Sequence, residues 1–245
     1  MTKIVLITGA SKGIGAATAL AFSQAQYEVI INYRDDHASA DKLVAQIKQN
    51  GGAAIAIAAD VFTDDGVKKL FDQVEKQYSL IDVLVNNAGQ PIETNFGQLT
   101  TTDITNSLTG NFSSAVMCSQ AAIPLMRKGG SILFTGSIYG LNFGSNPNLI
   151  LYSAGKAALI NFAQSLAESY ASDIRSNVVA PGYTKTPAWN GTTADDLARL
   201  LAQNLQPEWI QADEIANAFV FLAKSPHITG QTIVVDAGWQ KIKTI

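Results

Sequence analysis

The chain has 245 residues, 47% of them hydrophobic and 15% charged, with a formal net charge of −3. That composition suits one large buried core and excludes a disordered chain, and without a Lys/Arg-rich run neither nucleic acid nor an anionic membrane is an expected partner. The single cysteine, Cys118, leaves no intramolecular disulfide to form; with a first apolar run too short for a signal peptide and none long enough for a membrane span, a cytoplasmic protein is expected.

The first apolar, β-branched run is KIVLIT (3–8), which leads straight into TGASKGIG (8–15). Gly9, Gly13 and Gly15 allow a tight turn and a close backbone approach, and the helix that follows, 13–26, offers free amide donors and its positive dipole end to a phosphate. EVIINY (28–33) is the second strand, with helix 37–50 behind it, and AAIAIAAD (53–60) the third, ending at Asp60. Helix 64–78 precedes IDVLVNN (81–87), whose end reads Asn86-Asn87-Ala88-Gly89. A long helical stretch around 101–128 contains Asn111; SILFTG (131–136) then ends at Ser137.

Helix 153–171 opens with Tyr152-Ser-Ala-Gly-Lys156, a spacing that puts a phenol and an ammonium on one helix face, where a cation favours phenolate. RSNVVAP (175–181), helix 213–225 and QTIVVDA (231–237) close the series. Runs without polar alternation, each followed by a helical pattern, imply an α/β fold, doubly wound, with a seven-stranded parallel sheet and helices on both faces. Residues 1–245 form one domain on this reading, and segment 183–212, with Pro187, Trp189, Gly191, Pro207 and Trp209, is the candidate for a cover over a site.

In such a sheet, ligands bind beyond the carboxyl ends of the strands. Taken together, the glycine motif, Asp60-Val61, Asn86 to Gly89, Asn111, Ser137, Tyr152-x-x-x-Lys156, Pro181-Gly182 with Thr186, and the late TGQTIVVDAG resemble the single-domain short-chain dehydrogenases/reductases over nearly the whole chain. The ketoreductase branch that includes 3-oxoacyl-carrier-protein reductases is the most similar. The resemblance implies a Rossmann-type fold and an NAD(P)-dependent oxidoreductase that reduces a ketone or aldehyde to an alcohol. In it Tyr152 exchanges the proton, Ser137 bonds the substrate oxygen, Lys156 lowers the phenol's pKa and binds the nicotinamide ribose, and Asn111 holds a water in a relay to Lys156. It further implies that Gly9, Ser11, Lys12, Gly13, Ile14, Gly15, Arg34, Asp60, Val61, Asn86, Ala88, Gly89, Tyr152, Lys156, Pro181, Gly182, Thr184 and Thr186 contact the cofactor, and that the chain is a homotetramer. The helices near 101–128 and 153–171 would then supply one interface, with Leu159, Phe162, Ala163 and Leu166 crowded on the latter, and the C-terminal strand another.

An acidic residue at the end of the second strand would bind the ribose hydroxyls of NAD. Tyr33 stands there instead, with Arg34 next and Lys12 in the glycine loop, so NADPH is expected over NADH, although Asp35 and Asp36 could neutralise Arg34. The loop from Ser137 to Tyr152 is about two residues longer than usual in the family and is expected to reshape a wall of the substrate pocket. A general carbonyl reductase is preferred to an acyl-carrier substrate, because only Arg127, Lys128 and Arg199 offer cations for an acidic carrier. A serine hydrolase built on Ser137 lacks the Gly-x-Ser-x-Gly elbow, and His37 and His227 are too isolated for a metal site. A dinucleotide-binding regulator without turnover would have no need of the Ser137, Tyr152 and Lys156 set.

Overall fold

In the computed structural model, residues 2–93 and 95–239 are described. Seven strands form one parallel sheet: β1 (Lys3–Ile7), β2 (Tyr27–Tyr33), β3 (Ala54–Ala58), β4 (Ile81–Asn86), β5 (Met126–Thr135), β6 (Ile174–Pro181) and β7 (Thr232–Val235). Their order is β3-β2-β1-β4-β5-β6-β7, so the chain reverses its direction of winding between β1 and β4. The crevice beyond the ends of those two strands is where a ligand fits an open parallel sheet.

Helices cover both faces. On one lie α1 (Gly13–Gln24), α2 (His37–Gln49) and, after the short α7 (Ala194–Leu201) of segment 183–212, α8 (Ala212–Lys224), packed through Phe22, Leu43, Ile47, Ile215 and Phe219 against Val5, Ile7, Val29 and Ile31. On the other lie α3 (Asp64–Gln77), α5 (Ser114–Ala122) and α6 (Ile150–Ser169), which enclose Leu6, Ile30, Leu84, Ile132 and Phe134. The strands bury side chains on both faces, which is why they carry no polar alternation. Helix starts follow local chemistry: Asp36 accepts from the Ser39 amide and Thr63 from that of Gly66, as N-caps do.

The expected helix around 101–128 is three pieces. α4 (Thr101–Leu108) runs into a π-helical stretch, Thr109–Ser113, and then into α5. Asn111 lies in that stretch and donates through its own carboxamide to the Ser107 carbonyl at 3.0 Å, diverting the acceptor that a regular ladder would use. Pro124, in a short turn after α5, has no amide hydrogen and cannot continue the helix, so the chain leaves it and β5 begins at Met126, five residues earlier than the apolar run suggests.

Helix α6 turns its large apolar residues inward. Leu159, Ala163 and Leu166 are buried against the sheet, and Phe162 packs edge-on against Phe112 and Phe134, with ring centres 6.0 and 5.8 Å apart. The outward positions include Ala157, Asn161, Gln164, Ser165 and Glu168, so Leu159, Ala163 and Leu166 serve the core of this chain. Among the described residues no helix is long and apolar enough to cross a membrane.

Candidate active site

A cleft of about 540 Å³ opens over the carboxyl ends of β1, β2 and β4. Gly9, Ser11, Lys12, Gly13, Ile14, Gly15, Arg34, Asp60, Val61, Ala88, Gly89, Tyr152, Lys156 and Thr186 all line it. Gly9 and Gly13 have φ of +60° and +58°, where a side chain strains the backbone, and a Cβ on Gly15 would stand 2.6 Å from both the Asn87 amide and the Gly9 carbonyl. Lys12, at the N-cap of α1, makes no side-chain cap, so the first-turn amides and the positive helix end are left to a ligand. Cleft size, bare glycine floor and uncapped helix end together fit the phosphates of a dinucleotide.

Several of the expected residues lie outside the lining of the cleft. Asn86 is buried and points to the far face, where its amide donates to Ser119 Oγ at 3.0 Å. Asn87 takes the cleft side; its Nδ2 donates to the carbonyls of Thr8 and Gly9, both at 3.0 Å, and fixes the glycine turn. Pro181, Gly182 and Thr184 do not border the cleft: Pro181 ends β6, Gly182 packs against Asp236 and Ile210, and Thr184 is buried with its hydroxyl on the Gly182 carbonyl at 3.0 Å. Residues that the motif reading passed over include Asn32, buried at 1% exposure, which accepts from the Gly9 amide and donates to the Ala59 carbonyl, and so couples β2, β3 and the glycine loop. The signal that could have found Asn32 is an amide directly after Val29-Ile30-Ile31 in a buried strand. Phe62 and Thr135 also line the cleft, and nothing in their local sequence marks them.

Around the phenol, β5 ends at Thr135, Ser137 follows it, and the start of α6 lies opposite. Lys156, 4% exposed, donates from Nζ to the Thr135 carbonyl at 2.8 Å, and the same nitrogen stands 5.6 Å from the centre of the Tyr152 ring. Burial lowers the ammonium to about 8. Tyr152, by contrast, is raised above its ordinary value, chiefly by burial, while its bond to Ser137 pulls the other way. In the chain alone, then, the phenol is held protonated, opposite to the shift expected from a neighbouring lysine, and desolvation is the main cause.

Asn111 is tied on every arm. Its Nδ2 donates to the carbonyls of Gln90 (2.8 Å) and Ser107 (3.0 Å), and its Oδ1 accepts from the Gln90 amide (3.1 Å). One amide hydrogen clamps the loop after β4 and the other is spent on the Ser107 carbonyl of α4, so only the remaining lone pair of Oδ1 is left for the water that the sequence suggested. Gly89 fits between this oxygen and Lys156 Nζ; a Cβ there would stand 3.2 and 3.3 Å from them.

The profile of the family described as enoyl-(acyl carrier protein) reductase matches residues 9–240. A 3-oxoacyl-[acyl-carrier-protein] reductase of Synechocystis sp. is 38% identical over 96% of each chain. The corresponding FabG enzyme of Staphylococcus aureus is 35% identical over 97% of this chain and 98% of its own. A short-chain dehydrogenase from Burkholderia cenocepacia, solved in complex with NADP, superposes with a TM-score of 0.89 at 33% identity, covering 97% of each chain. Fold and cleft are those of a dinucleotide-dependent oxidoreductase. More narrowly, the chain belongs to the short-chain dehydrogenase/reductase family, in its ketoreductase branch.

Proposed function

We propose that the protein reduces small ketones with NADPH. One observation carries this reading: the phenol of Tyr152, bonded to Ser137 and held protonated by burial, stands beside the buried ammonium of Lys156 at the mouth of the cleft. Bound in the cleft, the nicotinamide supplies the hydride. The glycine turn and the start of α1 would hold the phosphates, and Lys12 and Arg34 would meet a 2′-phosphate. Lys156 orients the ribose, Ser137 holds the substrate oxygen, and Tyr152 gives it a proton as it becomes an alkoxide. The state that the chain alone favours, a protonated phenol, suits the reductive direction.

The carboxylates that could oppose a 2′-phosphate are both engaged: Asp35 accepts from Arg34 Nε at 2.6 Å, and Asp36 caps α2. Tyr33 keeps its hydroxyl on His37 Nδ1 at 2.6 Å. This supports NADPH over NADH, since the residue that ends β2 is Tyr33 and not a carboxylate.

A 3-oxoacyl carrier protein is the second reading, favoured by the names of the relatives. Against it, the three cations that would meet an acidic carrier are each paired, Arg127 with Asp82, Lys128 with Asp173 and Arg199 with Asp196. We further infer a cytoplasmic homotetramer; the exposed Phe221 on α8 and Ile104 on α4 support a covered surface better than α6 does. Assay of NADPH oxidation with a panel of ketones and 3-oxoacyl thioesters tests the substrate class. Turnover of thioesters alone would move the assignment to the second reading, and NADPH binding without any turnover would leave a regulator.

A further inference from the structure

The loop after β3 brings an aromatic ring to the cleft by a local device. Asp60 accepts the Phe62 amide on Oδ1 at 3.0 Å, and Thr63 then caps α3 by accepting the Gly66 amide at 3.0 Å. Phe62 is thus fixed between a turn and a helix start. Its ring is partly buried against the core beneath α3 and α5, and it lines the cleft as well. On one side it is bounded by the π-helical stretch, because Cε2 lies 3.7 Å from the point where a Cβ on Gly110 would stand.

Arg34, the first residue after β2, lines the same cleft and is held in two ways. Its Nε donates to Asp35 at 2.6 Å, and its guanidinium carbon lies over the Phe62 ring, 5.9 Å from the centre. The ion pair alone is a weak tether, since both side chains are exposed (51% and 76%) and such surface pairs contribute little. Three carboxylates, Asp35, Asp36 and Asp60, line the cleft with Arg34. A guanidinium free to turn would pair with one of them through two nitrogens, the geometry that carboxylates favour. Laid over a ring, the planar group keeps to a narrow set of poses. Among the described residues neither of its terminal nitrogens has a hydrogen-bond partner.

We propose that Phe62 is a positioning residue for cofactor choice: its ring holds the Arg34 guanidinium off the cleft's carboxylates and so keeps the terminal nitrogens for a 2′-phosphate. The inference rests on the NADPH reading and adds to it a residue that carries no charge and stands on a different loop.

The compounds 2′,5′-ADP and 5′-AMP differ in the 2′-phosphate and lack the nicotinamide, so they read this contact apart from turnover. Calorimetric Kd values for the two give a preference ratio, in which any general loss of binding cancels. Phe62→Leu should lower the parent's preference for 2′,5′-ADP roughly threefold, the scale of one exposed cation–ring contact. Phe62→Tyr keeps the ring and should keep the ratio. Arg34→Ala should lower the ratio further than Phe62→Leu does, and adding Phe62→Leu to it should change nothing more, because the ring acts only through the guanidinium. A ratio unchanged in Phe62→Leu, lost in Phe62→Tyr, or lowered again in the double variant would overturn this inference alone. A parent without preference for 2′,5′-ADP would overturn the NADPH reading, and this one with it.

Discussion

Lys156 Nζ donates to the carbonyl of Thr135, the last residue of β5, at 2.8 Å. The bond sets the ammonium at the height of the strand end and leaves it level with the ring of Tyr152, 5.6 Å from the centre. Because a sheet edge fixes the cation, its place does not depend on the rotamer freedom of a long side chain.

Tyr152→Phe should lower kcat on the order of a thousandfold, the usual scale for losing a general acid, while NADPH binding stays within about twofold. Lys156→Ala should weaken both, since one side chain serves ribose and phenol. Steady-state kinetics with a fluorescence titration of NADPH separate the two. A Tyr152→Phe rate within a few-fold of the parent would remove the assigned role.

Lys156 also makes stability depend on pH. Its pKa is about 8 in the fold against an ordinary 10.5, so between those values the unfolded chain holds a proton that the folded chain has released. Stability therefore rises with pH across that window, relative to a variant without the amine, and is flat below about pH 8. Urea midpoints of the parent and Lys156→Met, taken without cofactor at pH 7, 8, 9 and 10, should differ by an amount that changes only above about 8. A constant difference would show that burial does not perturb the ammonium.

Arg34 has Nε on Asp35 at 2.6 Å and its guanidinium 5.9 Å from the centre of the Phe62 ring. Its terminal nitrogens are the groups left for a phosphate. Arg34→Ala should cut kcat/KM for NADPH roughly tenfold and leave NADH nearly unchanged, the scale of one charge-assisted contact. A parent preference for NADH, or a preference that survives the substitution, would refute the assignment.

At the opposite edge of the sheet, Asp82 accepts from the Ile4 amide at 2.8 Å and from Arg127 Nε at 2.9 Å, with 9% of its side chain exposed. Asp82→Ala strands both donors and should cost about 2–3 kcal/mol, a fall in Tm of roughly 5–10 °C. Lys128→Ala, which breaks a pair exposed on both sides (79% and 54%), should change stability by less than about 0.5 kcal/mol. Thermal melts of the two variants make the comparison; similar shifts would contradict it.

Seven strands, the glycine turn and the Tyr152/Lys156 pair were legible because each is a local pattern: buried β-branched runs, closely spaced glycines and an i, i+4 spacing. What the sequence could not supply was facing. In Asn86-Asn87 the strand's two-residue period sends the first side chain to Ser119 and the second to the cleft, and a motif does not say which. In α6, apolar residues looked numerous enough for two faces, yet the sheet and Phe112 absorb them. Tyr139 and Tyr183, 44 residues apart, meet only through the fold.

The segment 183–212 is joined to the body by aromatic rings: inside it Trp189 packs on Tyr183 at 6.0 Å and on Trp209 at 5.4 Å, and Tyr183 lies edge-on to Tyr139 at 6.5 Å, which in turn packs on Trp239 at 5.7 Å. The chain's three tryptophans are these three. Its intrinsic indole emission thus arises entirely from this one aromatic cluster. A change in emission wavelength or quenching reports on the packing of this segment, and the molecule carries its own optical gauge of that region without a label.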